Sequence, residues 1–342
     1  MTDGENSGRW DDGTLKRPEE GLIIKADDMD GIKIISTGAG IPSKVVTNED
    51  LSRIVETNDE WIYTRTGIHE RRFCGEGEDC LSLAVSAAKQ ALERSGIEKS
   101  EIGCLICGTV TSKYASPSTA CLVQKALELP EDIPVLDINA ACAGFIYGLE
   151  VARGFLAAGE KKYGIVVGVE ELTRVLDMSD RSTCVLFGDG AGAAVIKVEE
   201  GTLYENCLGA KGGLEIFIEG VGSEKSTVHM DGKAVFKFAV AAIPKVMNTI
   251  FENSGKTIED VDHCICHQAN ARIIDHVVKK YNAPAEKFYK NMDRFGNTSA
   301  ASVPTAMNEM WEKGMIKPGQ TLLLVGFGGG LTMAGALLKF ER

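Results

Sequence analysis

Asp137-Ile-Asn-Ala-Ala-Cys142-Ala-Gly-Phe145 is an apolar strand that ends in small residues; a helical stretch and a second strand, Ile165-Val-Val-Gly168, follow. Residues 293–326 run in the same order, through Gly296-Asn-Thr-Ser-Ala-Ala301, a helix, a turn and the strand Leu322-Leu-Leu-Val-Gly326. A strand–loop–helix unit at 102–127 has a matching partner at 261–281. Repeated order and spacing of this kind marks an internal duplication, here with its halves at 31–200 and 201–342. Around these units short apolar runs alternate with helical stretches, the pattern of an α/β protein. The strands expected are 33–36, 104–107, 135–138, 164–169, 193–198, 263–267 and 321–325. Helices are expected near 80–95, 118–127, 143–158, 235–253, 271–281 and 302–313, the last with Pro304 in its first turn and Gly314 just past its end.

The chain has 342 residues, 44% of them hydrophobic, which is enough for a large core or two. A net charge of −12 argues against nucleic acid as the main partner, because phosphate binding needs a basic surface. No stretch reads as apolar for long enough to cross a membrane, and the N-terminus lacks the order of a signal peptide. Residues 1–30 are polar and acidic, with Asp11, Asp12, Glu19, Glu20, Asp27 and Asp28, and read as a mobile extension. Ten cysteines without an export signal fit free thiols in a reducing cytoplasm rather than a disulfide framework.

Three loops carry candidate chemistry. Cys142 stands where a strand gives way to a helix, and a thiol at a helix N-terminus is expected to favour its thiolate. Small neighbours leave room for a substrate carbonyl, although a plain core cysteine would look the same. In His263-Cys-Ile-Cys-His267-Gln-Ala-Asn270, alternation puts both histidines on one strand face. His267 falls at the carboxyl end, where open α/β sheets place ligands, or else is a hydrogen-bonded core histidine. Asn297 follows a glycine and precedes small residues, and is either a turn residue or an oxyanion donor. The segment Gly326-Phe-Gly-Gly-Gly330 would bring bare backbone N–H groups close to a ligand.

Two other patterns fail their tests. Cys104 and Cys107 have metal-ligand spacing, but on a strand they face opposite sides. Gly188-Asp-Gly-Ala-Gly192 precedes a strand rather than a helix, so it reads as a strand–turn–strand hinge and not as a dinucleotide fingerprint.

Together the loops resemble the β-ketoacyl-[acyl carrier protein] synthase III family of bacterial type II fatty-acid synthesis. The likeness runs from Gly31 to Arg342, through Asp59-Glu-Trp61-Ile-Tyr-Thr-Arg65-Thr-Gly-Ile, Ala140-Ala-Cys-Ala-Gly-Phe145, Phe187-Gly-Asp-Gly-Ala-Gly-Ala193, His267-Gln-Ala-Asn270, Gly296-Asn-Thr-Ser-Ala-Ala-Ser302 and Phe327-Gly-Gly-Gly330. It implies a five-layered αβαβα thiolase-like fold built from two duplicated halves, and a cytoplasmic homodimer. It implies Cys142 as acylated nucleophile, His267 and Asn297 as its catalytic partners, and the N–H groups of Cys142 and Gly329 as an oxyanion hole. Phe327 would line the site, while Trp61, Arg65, Arg181, Asn270 and Arg272 match positions around coenzyme A and its pantetheine. The implied partners are acyl-CoA and malonyl-acyl carrier protein, with no metal or redox cofactor. Carrier protein is acidic, and Lys237, Arg272, Lys279 and Lys280 would supply a local positive patch on an otherwise acidic enzyme.

The chain also departs from the family's pattern. Ser116 replaces a phenylalanine that closes the acyl pocket of the neighbouring subunit in another member, which implies a primer not limited to acetyl. Lys233 stands where some members have an asparagine, and the loop at 211–227 is short. Rival readings are a Cys-His-Asn ketosynthase or acyltransferase of secondary metabolism and a silent acyl-CoA-binding protein. Elongating ketosynthases use two histidines and hydroxymethylglutaryl-CoA synthases need a glutamate, so Asn297 argues against both.

Overall fold

The computed structural model describes residues 30–220 and 226–341; the expected extension up to residue 29 and residues 221–225 of the short loop lie outside them. The first half runs β1 (Gly31–Gly40), β2 (Lys44–Thr47), α1 (Asn48–Ser52), α2 (Asp59–Thr66), β3 (Glu70–Phe73), α3 (Cys80–Ser95) and β4 (Ile102–Gly108). It continues through α4 (Thr119–Leu127), β5 (Val135–Ile138), α5 (Gly144–Ala158), β6 (Tyr163–Glu170), α6 (Arg181–Cys184) and β7 (Gly190–Glu199). The second half begins with β8 (Tyr204–Ala210), β9 (Ile216–Ile218), β10 (Val228–Met230), α7 (Gly232–Ser254) and β11 (His263–Cys266). It ends with α8 (Ala271–Tyr281), α9 (Met292–Phe295), α10 (Ser302–Glu312), β12 (Thr321–Gly328) and β13 (Thr332–Phe340).

Strands buried on both faces need apolar residues at every position, and this requirement generates the layers. The order β5-β4-β6-β7-β1 forms one sheet half and β13-β12-β11, with β8 on β13, the other. The two halves are hydrogen-bonded into one sheet where β1 runs parallel to β13, at Lys33–Lys339 and Ile34–Phe340. Alternate residues divide between cores: Ile106, Val166, Ile196, Leu324 and Leu338 enter a central core with α5 and α10. Leu105, Ile165 and Val195 face α3 and α4 on one outer side, while Leu323, Val325 and Leu337 face α7 and α8 on the other. The stacking is therefore helix, sheet, helix, sheet, helix, the five-layered arrangement expected. Each fully buried side chain of this size contributes about 1.5–3 kcal/mol. Cys104 lies in the central core and Cys107 in an outer one, on opposite faces of β4.

Several expectations need correction. The segment Gly188–Gly192 is entered from α6 and a turn, so it leads into β7 without a preceding strand. The duplicated unit of the second half opens on the helical turn α9, because Asn291 and Met292 accept helical bonds from Arg294 and Gly296. Residues 141–158 and 232–254 are long and apolar enough to cross a membrane by length and composition, contrary to the sequence reading. In the fold the first is 56% buried and packs into the central core, and the second lies on β12 and β13. Helix α7 also starts earlier than expected, because Asp231 caps it through the N–H groups of Lys233 and Ala234.

Candidate active site

Cys142 sits between β5 and α5 in a tight turn, 141–143, rather than at the first position of α5 itself. Ala141 takes φ +45°, an uncommon conformation without glycine that turns the chain sharply at the thiol. The end of β12 packs directly on this turn: a Cβ at Gly328 would lie 2.7 Å from the Cys142 nitrogen and 3.0 Å from Sγ. Only glycine allows that approach. The N–H groups of Cys142 and Gly329 and the Ser299 side chain each favour the thiolate. Burial nonetheless outweighs them and pushes the thiol up to about 11, with the charge of Glu170 adding to the rise. Burial at the turn thus works against the thiolate that a helix N-terminus is expected to favour.

His267 follows β11, its N–H bonded to the Val325 carbonyl at 2.7 Å. Its Nδ1 lies 2.6 Å from Ser302 Oγ at the start of α10, and its ring meets Phe327 edge-on at 5.1 Å. Desolvation holds the imidazole down to about 3, so it is neutral at ordinary pH. Asn297 is anchored by Asn297 N–H to Leu186 O and Gly188 N–H to Asn297 O. Its Oδ1 accepts from Ser299 N–H at 2.9 Å, which leaves the amide NH2 as its donor. Ser299 thus ties the asparagine loop to Cys142, and β12 ties the histidine to the same turn.

A cavity of about 1130 Å3 opens on Cys142, Ser299 and Gly329. His267, Asn297 and Phe327 do not line it, and neither does Ser116, which is exposed on the surface. Away from the cavity, Arg65 and Arg181 stand 4.5 and 4.7 Å from the Trp61 ring centre, a cation–aromatic cluster at the protein surface. Asn270 caps α8 through Arg272 N–H and donates to the Arg65 carbonyl at 2.9 Å, so both ends of its amide are engaged. Arg272 lies over Phe236 of α7, and Lys237, Lys279 and Lys280 are exposed on the same pair of helices.

Sequence reasoning missed Glu170. It is fully buried at the end of β6 and receives Thr111 Oγ1 at 2.6 Å, Ser299 Oγ at 3.1 Å and the Val110 N–H at 3.1 Å. Burial pushes its carboxyl up to about 7 despite those bonds. A carboxylate closing the apolar run Ile165-Val-Val-Gly-Val169 was the available signal, since such residues are rarely buried without partners. Among the described residues no group of three His, Cys, Asp or Glu side chains is placed to hold a metal ion.

Residues 136–212 match the family described as 3-Oxoacyl-[acyl-carrier-protein (ACP)] synthase III, and residues 251–340 match the family of its C-terminal part. The chain is 42% identical over 327 residues to a beta-ketoacyl-[acyl-carrier-protein] synthase III of Clostridium acetobutylicum, covering 92% of this chain and 100% of that one. A Coxiella burnetii protein of the same name is 45% identical over 314 residues, covering 90% and 98%. The crystal structure of 3-oxoacyl-[acyl-carrier-protein] synthase III from Aquifex aeolicus superposes with a TM-score of 0.85 at 43% identity, over 91% of this chain and 100% of that one.

Proposed function

Because the chain belongs to the β-ketoacyl-[acyl-carrier-protein] synthase III family, and is thus a condensing acyltransferase of fatty-acid biosynthesis, we propose that Cys142 is its acylated nucleophile. The observation that carries this reading is the placement of Cys142, Gly329 and Ser299 on one large cavity, with Asn297 bound to Ser299 outside its lining. Cys142 attacks the thioester of an acyl-CoA, coenzyme A leaves as the thiol, and the acyl group stays on sulfur. Covalent catalysis splits one hard step into two. The N–H groups of Cys142 and Gly329 receive the oxyanion of each tetrahedral intermediate.

Malonyl-acyl carrier protein then enters. His267 and the Asn297 amide donate to its thioester oxygen, and the enolate forms as carbon dioxide departs beside Phe327. His267 Nδ1 pairs with Ser302 Oγ, and the reaction as proposed takes the tautomer in which Ser302 donates and the ring proton sits on Nε2, where the substrate oxygen needs it. The enolate carbon attacks the acyl group, and 3-oxoacyl-carrier protein leaves. Hydrogen-bond donors carry the charge throughout, so the reaction as proposed needs no metal or redox cofactor. The test is a two-stage assay: acyl-CoA acylates the enzyme, and malonyl-carrier protein then discharges it to a 3-oxoacyl product with release of carbon dioxide. Acylated enzyme that malonyl-carrier protein fails to discharge would point to a different acceptor.

Trp61, Arg65, Arg181, Asn270 and Arg272 are assigned to the coenzyme A and pantetheine path, and Lys237, Arg272, Lys279 and Lys280 to carrier docking. The working unit is proposed as a cytoplasmic homodimer. Reversing a charge assigned to docking alone separates the two half-reactions: Lys279→Glu, exposed on α8, is expected to raise the KM for malonyl-carrier protein about tenfold and leave acylation of Cys142 within about twofold. Equal loss of both half-reactions would count against docking.

Position 116 carries serine where another family member has the bulkier phenylalanine, and the cavity at Cys142 has a volume of about 1130 Å3. Branched and longer acyl-CoA primers are therefore expected to react within about tenfold of acetyl-CoA, since one methylene shifts selectivity by ~10-fold or more only in a tight pocket. Initial rates across a primer series measure this, and a steep acetyl preference would refute it.

A further inference from the structure

We infer that Glu170, acting through the Ser299 hydroxyl, takes the Cys142 proton during acylation, holds it while the acyl group occupies the sulfur, and returns it when the product leaves. This rests on the reading of Cys142 as the acylated nucleophile. The problem it solves is set by burial: the thiol is pushed up to about 11 and needs an acceptor before it can attack. His267 is a poor one, held down to about 3, whereas Glu170 stands at about 7.

The hydrogen bonds run in the right direction. Ser299 Oγ donates to Glu170 Oε1 at 3.1 Å, which leaves the hydroxyl lone pairs to accept from the Cys142 S–H. The turns at 141–143 and 299–301 pack on each other, Ser299 and Cys142 line the same cavity, and the Ser299 side chain acts on the thiol by favouring its ionised form. Thr111 Oγ1 accepts from Glu171 N–H at 2.8 Å, so its own proton is directed at Glu170 Oε2, 2.6 Å away. Thr109 Oγ1 at 3.3 Å and Val110 N–H also donate to Glu170, so the ionised form is supported without contact with solvent. Ser299 itself is held with φ +48°, uncommon outside glycine, by its N–H on Asn297. The titratable groups that face Glu170 from other elements are the thiols of Cys80 on α3, Cys107 on β4 and Cys142. Glu171 turns away to the Cys80 N–H and Arg174, and Arg174 donates to the Thr111 carbonyl.

The proton count closes over the cycle. As sulfur bonds to the acyl carbon, its proton passes to Ser299, the Ser299 proton passes to the Glu170 carboxylate, and the bond to coenzyme A sulfur breaks. The departing thiolate is protonated from solvent. When the enolate displaces Cys142 in condensation, Glu170 returns a proton through Ser299 to the sulfur.

The test follows acylation of Cys142 by rapid-quench mass spectrometry from about pH 5 to about pH 10, beside alkylation of the same thiol by iodoacetamide. The native protein should acylate faster as pH rises through a limb near 7, where Glu170 ionises. Glu170→Gln and Ser299→Ala should each lose that limb and slow acylation by about tenfold or more at neutral pH, while Glu170→Asp restores part of it. Iodoacetamide should show the same loss of the limb, and it does so whether or not acyl-CoA is the true substrate. A Glu170→Gln protein with the native pH profile, or one lowered equally at every pH, overturns the inference. If Glu170→Gln fails to fold, Ser299→Ala and the native enzyme decide: acylation rates in mixed light and heavy water should curve as two protons in flight require, and a straight line overturns it.

Discussion

Changing Cys142 to alanine is expected to abolish the acyl-enzyme and lower condensation by roughly 10^4-fold or more, the scale of losing a nucleophile. No neighbouring group can substitute. Among the described residues lining the cavity, Cys142 is the one cysteine. Cys104, Cys107 and Cys264 are sunk in the cores, where burial pushes each thiol up. The alanine methyl keeps the contact that Gly328 makes with the Cys142 Cβ, so the turn should persist and the melting temperature should shift by no more than a few degrees. Intact-protein mass spectrometry after mixing with several acyl-CoAs checks it: the native chain gains one acyl mass and the variant none. The acyl mass retained also identifies the preferred primer. An adduct that survives Cys142→Ala would place the nucleophile elsewhere.

The layers were legible because strands buried on both faces carry unbroken apolar runs, as in Leu322-Leu-Leu-Val325, and because the intervening helices have strong start and stop residues. Strand β13 was not expected. Its Met333-Ala-Gly-Ala336 lacks β-branched residues, and the reason lies across the fold: a Cβ at Gly335 would stand 2.4 Å from Val246 of α7, so small residues admit the helix. The chemistry divides in the same way. Cys142, His267 and Asn297 each occupy a loop with its own local signature. Glu170 shows only as a carboxylate closing an apolar run, because its hydrogen bond from Ser299, 129 residues away, and the loss of water around it arise in the fold. The balance of forces on the thiol was only half visible for a related reason. Sequence shows the helix N-terminus that favours the thiolate, but not how completely packing by Gly328 and the neighbouring loops removes solvent.

The sharpest dissection of the two half-reactions comes from His267→Ala and Asn297→Ala. Each is expected to lower decarboxylation and condensation by about 10^2–10^3-fold, the usual effect of removing one donor to a developing oxyanion, and to leave acylation of Cys142 within about threefold. Both donors are assigned to the same substrate oxygen, so the double variant should lose less than the product of the single losses. Release of carbon dioxide from malonyl-carrier protein measures the first step without the second, and a loss confined to acylation would reverse the assignment. The pH dependence gives an independent check. His267 is held down to about 3, so decarboxylation should show no limb from imidazole protonation between about pH 5 and about pH 7. The same depression has a signed effect on stability: the neutral folded histidine is favoured above the ordinary value of 6.5, and its contribution is lost as pH falls toward 3. His267→Gln should therefore flatten the acid side of the stability curve while still failing to decarboxylate at the native rate. An acid limb near 6.5 in the native enzyme, removed by the same substitution, would mean that the charged imidazole is not excluded from the working site, and that His267 serves as an acid rather than as a neutral donor.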